Sequence, residues 1–283
     1  MMISKDIKIF DAHAHMQFSA YDSDRDDVLK RNLDSGVGFI CVGTQADTSQ
    51  AAIDLAKKSP NKIFATVGLH PVHTDKSFHD VAELGGTGHE FTSRGEIFDY
   101  DYYKKIAADP SVVGIGECGL DYYHLDEGAR LKQRVAFEAQ INLANEIKKP
   151  LMFHIREAYE DAYEIIKSLA KVKGDVHCYV GNLDTAKKFL DLGFYISFTG
   201  VITFPYKPQS GRVNYAEVVK YVPLDMMLSE TDSPYLAPVP FRGKRCEPAY
   251  VEKVIEKIAE IKGLPFETVA EATRKNAEKL FSL

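Results

Sequence analysis

Eight short apolar runs, each followed by a stretch with helical spacing, constrain the fold of this 283-residue chain more than any other feature. They are Ile7–Ala12, Val37–Gly43, Ile63–Gly68, Val112–Glu117, Pro150–His154, Gly174–Cys178, Phe194–Phe198 and Met226–Glu230. Each is nearly continuous in apolar residues, as strands covered on both faces require. Strands alternating with helices imply βαβ units and a parallel sheet. Eight such units predict an α/β chain whose sheet closes on itself as a TIM (β/α)8 barrel, a single domain over residues 1–283.

The helices carry ordinary boundary signals. Asp24–Leu33 stops before Ser35-Gly36, and Thr48–Lys57 before Ser59-Pro60. The longest, Gly128–Lys148, has Leu131, Val135, Phe137, Ile141, Ala144 and Ile147 as its apolar set. Two helices, Pro248–Ile261 and Pro265–Phe281, follow the last strand and are expected to complete the outer ring. Residues 72–100 contain Gly85-Gly86-Thr87-Gly88 and little periodicity, and are expected to form a long loop insertion after the third strand. His73, His79, His89 and His124 fall in loops and are expected to be solvated.

A parallel barrel carries the C-terminal ends of all its strands to one mouth, where active sites lie. Ionisable residues stand at those ends. His13 and His15 close the first strand, His70 the third, Glu117 the fourth, His154 the fifth, His177 the sixth, and Glu230 and Asp232 the eighth. Any one of them alone would be an ordinary polar residue at a barrel rim. Together they suit two divalent cations, with imidazoles and carboxylates as ligands and one carboxylate between the metals. Such a pair can share a hydroxide and clamp the attacking and leaving oxygens of a displacement, so hydrolysis is the expected reaction class. The donor set admits Mg, Mn or Zn.

Charge narrows the partners. Lys plus Arg number 35 against 41 Asp plus Glu, a net of −6, which argues against nucleic-acid binding through a broad basic surface. A phosphodiester substrate would need the cations and a local basic cluster, and Arg242, Lys244 and Arg245 supply one. The four cysteines, Cys41, Cys118, Cys178 and Cys246, form no C-x-x-C pair, so reduced thiols are expected. Met1–Phe10 lacks the apolar run of a signal peptide, and no stretch reaches membrane-spanning length. A cytoplasmic protein with no membrane partner is expected, and no obligate protein partner is implied.

Six segments, in order, resemble the motifs of the TatD family of metal-dependent deoxyribonucleases. They are Asp11-Ala12-His13-Ala14-His15, Val67-Gly68-Leu69-His70-Pro71, Gly114 to Tyr122, His154-Ile155-Arg156-Glu157-Ala158, His177-Cys178-Tyr179 and Glu230 to Leu236. The stretch Ala237 to Arg245 also resembles that family's loop after the last strand. The family belongs to the amidohydrolase-like group of barrels, so the resemblance implies the same fold. It further implies that His13, His15 and Asp232 hold one metal, that His154 and His177 hold the other, and that Glu117 bridges them. DNA is the implied substrate, single-stranded or accessible at an end, and exonuclease action is expected. The chain departs from the family in its longer loop after the third strand and in Cys246, where asparagine is common.

On this reading a metal-bound hydroxide attacks phosphorus, with Asp232 and Glu117 as the catalytic carboxylates and Asp232 as acceptor of the water's proton. His70 and Arg156 are expected to touch the phosphate, together with Arg242, Lys244 and Arg245. Glu230 is expected to orient the site from behind the ligands. Tyr122 and Tyr123 could offer stacking surfaces, with burial as packing an equal reading. The residues alone leave open an amide, lactone or aminoacyl-ester hydrolase with the same binuclear site, or a noncatalytic binding protein on a relic barrel.

Overall fold

Eight parallel strands form one sheet, and alternate side chains along them face a barrel interior or a ring of helices. The computed structural model describes residues 2–76, 78–79, 91–92, 94–123, 127–206 and 213–283. The barrel strands are β1 (Ile9–Ala14), β2 (Val37–Val42), β3 (Ile63–Val67), β4 (Val112–Asp121), β5 (Leu151–Arg156), β6 (Gly174–Val176), β7 (Tyr195–Phe198) and β8 (Met227–Ser229). They pair in chain order. A parallel bridge between Ala14 and Ser233 then joins the first strand to the last. Two backbone bonds flank that seam, His15 N to Ser233 O at 2.7 Å and Asp232 N to His13 O at 2.9 Å.

The helices are α1 (Arg25–Asp34), α2 (Ala46–Lys58), α3 (Tyr100–Ile106), α4 (Glu127–Ile147), α5 (Tyr159–Leu169), α6 (Leu183–Asp191), α7 (Tyr215–Tyr221), α8 (Val251–Lys262) and α9 (Phe266–Phe281). Local chemistry sets their ends. Asn182 accepts the Thr185 N–H at the start of α6, and Gly263 ends α8 in the left-handed region at φ 66°. No helix among the described residues is long and apolar enough to cross a membrane.

Phe10, Ala12, Ile40, Val42, Phe64, Met152, Tyr195 and Leu228 cluster with Leu280, Phe281 and Leu283. These strand residues fill the barrel interior, and the end of α9 closes its floor. The other alternation, with Phe39, Cys41, Ala65, Val67, Leu151, Phe153, Ile196 and Phe198, packs outward against the helices. Both clusters are sealed from water, which accounts for the unbroken apolar runs.

Three expectations change. The insertion is not without structure: a 3-10 turn, Pro71–Thr74, leads to a short antiparallel pair of Phe78–His79 with Phe91–Thr92. Residues 77, 80–90 and 93, with His89, lie outside the described residues, as does His124. His73 is buried at 9% exposure rather than solvated, because the 3-10 turn folds it beside His70. Finally, Leu131 and Val135 of α4 are 64% and 61% exposed. The face of α4 turned to the barrel keeps the expected Phe137, Ile141 and Ala144 and adds Ala129, Gln133, Ala136 and Gln140. Buried glutamines occupy positions that an apolar count passes over.

Candidate metal centre

Irregular pairing aims two of the expected donors. The register of β1 against β2 slips between Asp11 and Ala14, and that of β4 against β5 slips between Ile115 and Cys118. Each slip acts as a bulge, re-aiming a side chain near a functional mouth. His13 lies in the first slip and Glu117 in the second. β4 then continues past Glu117 to Asp121, four residues further along the strand. Gly119 permits this, because a Cβ there would lie 1.9 Å from the His154 carbonyl oxygen.

Glu117 is the hub. Its Oε2 lies 3.4 Å from His13 Nε2 and 3.6 Å from His15 Nε2, while its Oε1 lies 2.9 Å from His154 Nδ1, 3.2 Å from His177 Nε2 and 3.3 Å from His70 Nε2. Asp232 Oδ1 is 3.3 Å from His15 Nε2 and 3.8 Å from His13 Nε2. Three donor sets result, each with its atoms within 4.8 Å of one another: His13, Glu117 and His177; His13, His15 and Asp232; His70, Glu117 and His154. The structure thus brings together all six expected ligands, with His70 beside them.

The tautomers fit cations. His15 Nδ1 lies 2.8 Å from the Val42 carbonyl oxygen, which can only accept, so this nitrogen carries the ring proton and Nε2 keeps its lone pair. His177 Nδ1 is held likewise at 3.1 Å by Glu230 Oε1, and His154 Nε2 at 3.1 Å by Asp121 Oδ2. In their neutral forms these three rings therefore keep the remaining proton on the outside and turn the other nitrogen toward Glu117. His70 is opposite. Its Nδ1 accepts the Val72 N–H at 3.2 Å, so a neutral ring carries its proton on Nε2 and donates into the site.

Charge follows the same plan. Burial alone would raise the Glu117 carboxyl, but His70, His13 and His177 more than offset it and hold it well below the usual range. Asp232 is lowered too, since the neighbouring imidazoles outweigh the burial that would raise it. Burial pulls His13 down and His70 down to about 4, each assisted by a neighbouring imidazole. His154 goes up to about 9, because its bonds to Asp121 and Glu117 outweigh burial. His177 rises as well, with Glu230 and Glu117 overcoming burial.

Asp121 was visible in sequence as part of a motif, but without a role. Its Oδ2 meets His154 and its Oδ1 accepts the Tyr123 N–H at 3.0 Å. The available signal was parity, since residues 117 and 121 share a strand face. Asp11 was also missed: it accepts the N–H groups of His13 and Thr231 and so ties β1 to the Asp232 turn.

The expected phosphate contacts separate. The Arg156 guanidinium lies 3.6 Å above the Tyr123 ring, at the end of the strand that carries His154. Arg242 is exposed and stacks 3.8 Å over Phe204, and Lys244 is exposed nearby. Arg245 instead makes two 2.7 Å bonds to Asp24 and a third to the Ala20 carbonyl, which anchors the loop.

Residues 10–282 match the family described as TatD related DNase. The chain is 37% identical to the uncharacterized metal-dependent hydrolase YabD of Bacillus subtilis, over 97% of this chain and 99% of that protein. It is 32% identical to the 3'-5' ssDNA/RNA exonuclease TatD of Erwinia tasmaniensis, over 97% of this chain and 100% of that protein. It is also similar to the crystal structure of the TatD homologue YJJV from Escherichia coli, with TM-score 0.80 and 25% identity over 98% and 99% of the two chains.

Proposed function

The chain belongs to the TatD-related DNase family of metal-dependent hydrolases, and from that premise we propose that it hydrolyses phosphodiester bonds of single-stranded nucleic acid, DNA above all, from an end. One observation carries the two-cation reading: the two oxygens of Glu117 face separate sets of imidazole nitrogens. His13, His15 and Asp232 would hold one divalent cation, His154 and His177 the other, with Glu117 between them. Cations so placed lower the pKa of water and neutralise charge on the phosphoryl oxygens.

The protein's own groups do the rest. Imidazoles keep Asp232 ionised, and its side chain is 16% exposed against 4% for Glu117. It is therefore the carboxylate open to the mouth, and it takes the proton of the attacking water. His70 donates its Nε2 proton to a phosphate oxygen, and Arg156 supplies positive charge beside it. The named exonuclease relative supports the substrate class. The test is cleavage of labelled single- and double-stranded DNA, and of RNA, by chelated protein given back Mg²⁺, Mn²⁺ or Zn²⁺. Restored cleavage of single strands, lost in Glu117→Ala, is expected. No cleavage with any metal would sink the reading.

A further inference from the structure

A cavity opens at Arg156, at the end of the strand that carries His154. It measures about 810 Å³, within the range of small-ligand sites. Loops after four consecutive strands build it: Tyr122 after β4, Arg156 and Tyr159 at and after β5, Asn182 after β6, and Tyr215 at the start of α7. Arg156 lies two residues beyond His154, or about 7 Å along the strand, so the cavity begins next to the centre.

Its lining is aromatic and acidic. Three tyrosines contribute, and Arg130 covers one face of Tyr122 at 4.4 Å while that ring also lines the chamber. Arg156 is its sole lining cation among the described residues, against Glu157, Glu160 and Asp161. Asp161 accepts the Tyr122 hydroxyl at 2.9 Å, and Glu160 pairs with Lys188 at 2.5 Å. The exposed Glu157 side chain makes no ion pair among the described residues. A phosphate led through this chamber would meet the unpaired Glu157 carboxylate. A flat, uncharged ring would meet tyrosine, on which any base can stack. Asn182 adds an edge contact, since its Oδ1 is taken by Thr185 N at 2.9 Å and its amide N–H groups remain to donate.

We propose that this chamber receives the base of the terminal nucleotide, with the bond that joins it to the strand lying at His154 and Arg156. The unpaired Glu157 then turns back a continuing backbone, so the cavity selects strand ends. This rests on the nuclease reading above.

The test uses the full chain with Mn²⁺ and single-stranded oligonucleotides whose terminal residue, at the 3′ end in one set and the 5′ end in another, is a normal nucleotide or a base-free tetrahydrofuran. Loss of the base is expected to lower kcat/KM of the first cut about tenfold at one end, the size of one lost stacking contact. Tyr122→Ala and Tyr215→Ala should each bring that ratio close to one. Each variant is its own control, because impaired folding lowers both rates together. Glu157→Gln should raise cutting of circular single strands, which offer no end. A wild-type ratio near one at both ends, or an unchanged ratio in both tyrosine variants, overturns the inference and leaves the nuclease reading standing. Absence of all cleavage overturns both.

Discussion

Asp121 shows how one side chain can govern a ligand without being one. It fixes the proton of His154 on Nε2 and leaves Nδ1 to face Glu117. Asp121→Asn offers a carbonyl or an amide where a carboxylate stood, so ring orientation and basicity both weaken. Metal affinity is expected to fall about 10–100-fold, read by competition with a chromophoric chelator. Unchanged affinity would remove Asp121 from the centre. Protonation gives a second prediction. His154, pushed up to about 9, and His177, also raised, hold protons at neutral pH that must leave before their nitrogens accept a cation. Metal binding at pH 7 should release protons, and affinity should climb until about pH 9. Calorimetric titration in two buffers of different ionisation enthalpy would show unequal heats; equal heats would contradict it. The donor residues themselves were legible in sequence, because they stand at strand ends. The tautomers were not, since the Val42 carbonyl and Asp121 meet their rings only through strand register.

At the scale of the element, α4 does more than cover the sheet. Gln133 bonds both backbone groups of Asp121 at 2.9 Å, and Gln140, two turns on, bonds the Leu69 N–H at 2.8 Å and its carbonyl at 3.0 Å. One helix thus sets the ends of β4 and β3, where Asp121 and His70 stand. Gln133→Ala strands two buried backbone groups and should cost about 2–4 kcal/mol in chemical denaturation. Leu131→Ala on the exposed face should change stability by less than about 0.5 kcal/mol. Equal effects would mean the glutamine does not clamp the strand. Apolar periodicity located this helix and placed Phe137, Ile141 and Ala144 on its inner face, but it misplaced Leu131 and Val135 and passed over Gln133 and Gln140, which serve as backbone partners in a core where hydrophobes are expected. The loop after β8 divides in the same way. Arg245→Ala should lower stability by about 1 kcal/mol while leaving the salt dependence of DNA binding unchanged, since Asp24 already holds that charge. Arg242→Ala with Lys244→Ala should flatten the slope of log K against log salt by about 0.7 per lost phosphate contact.

For the molecule as a whole, the candidate donors stand on or just after β1, β4, β5, β6 and β8, so a cation held by them would bind only the closed barrel. Cations at 100 times their Kd would add about 2.7 kcal/mol, so chelation should lower Tm by about 5–10 °C. An unchanged Tm would mean the metal does not favour the folded barrel. The architecture was legible because the strands are buried on both faces and read as nearly continuous apolar runs. The slips at Asp11–Ala14 and Ile115–Cys118 were not, because a bulge changes which residues face inward without changing which residues are present. The seam between β1 and the Ser233 turn adds a consequence in time. His13 and His15 leave the ribosome early, but their partner Asp232 follows more than 200 residues later and reaches them only when the last strand docks. A chain stalled or truncated before that point lacks one donor of the set and cannot close its wall. An unfinished chain of this hydrolase therefore stays without its full donor set until synthesis has passed the last strand.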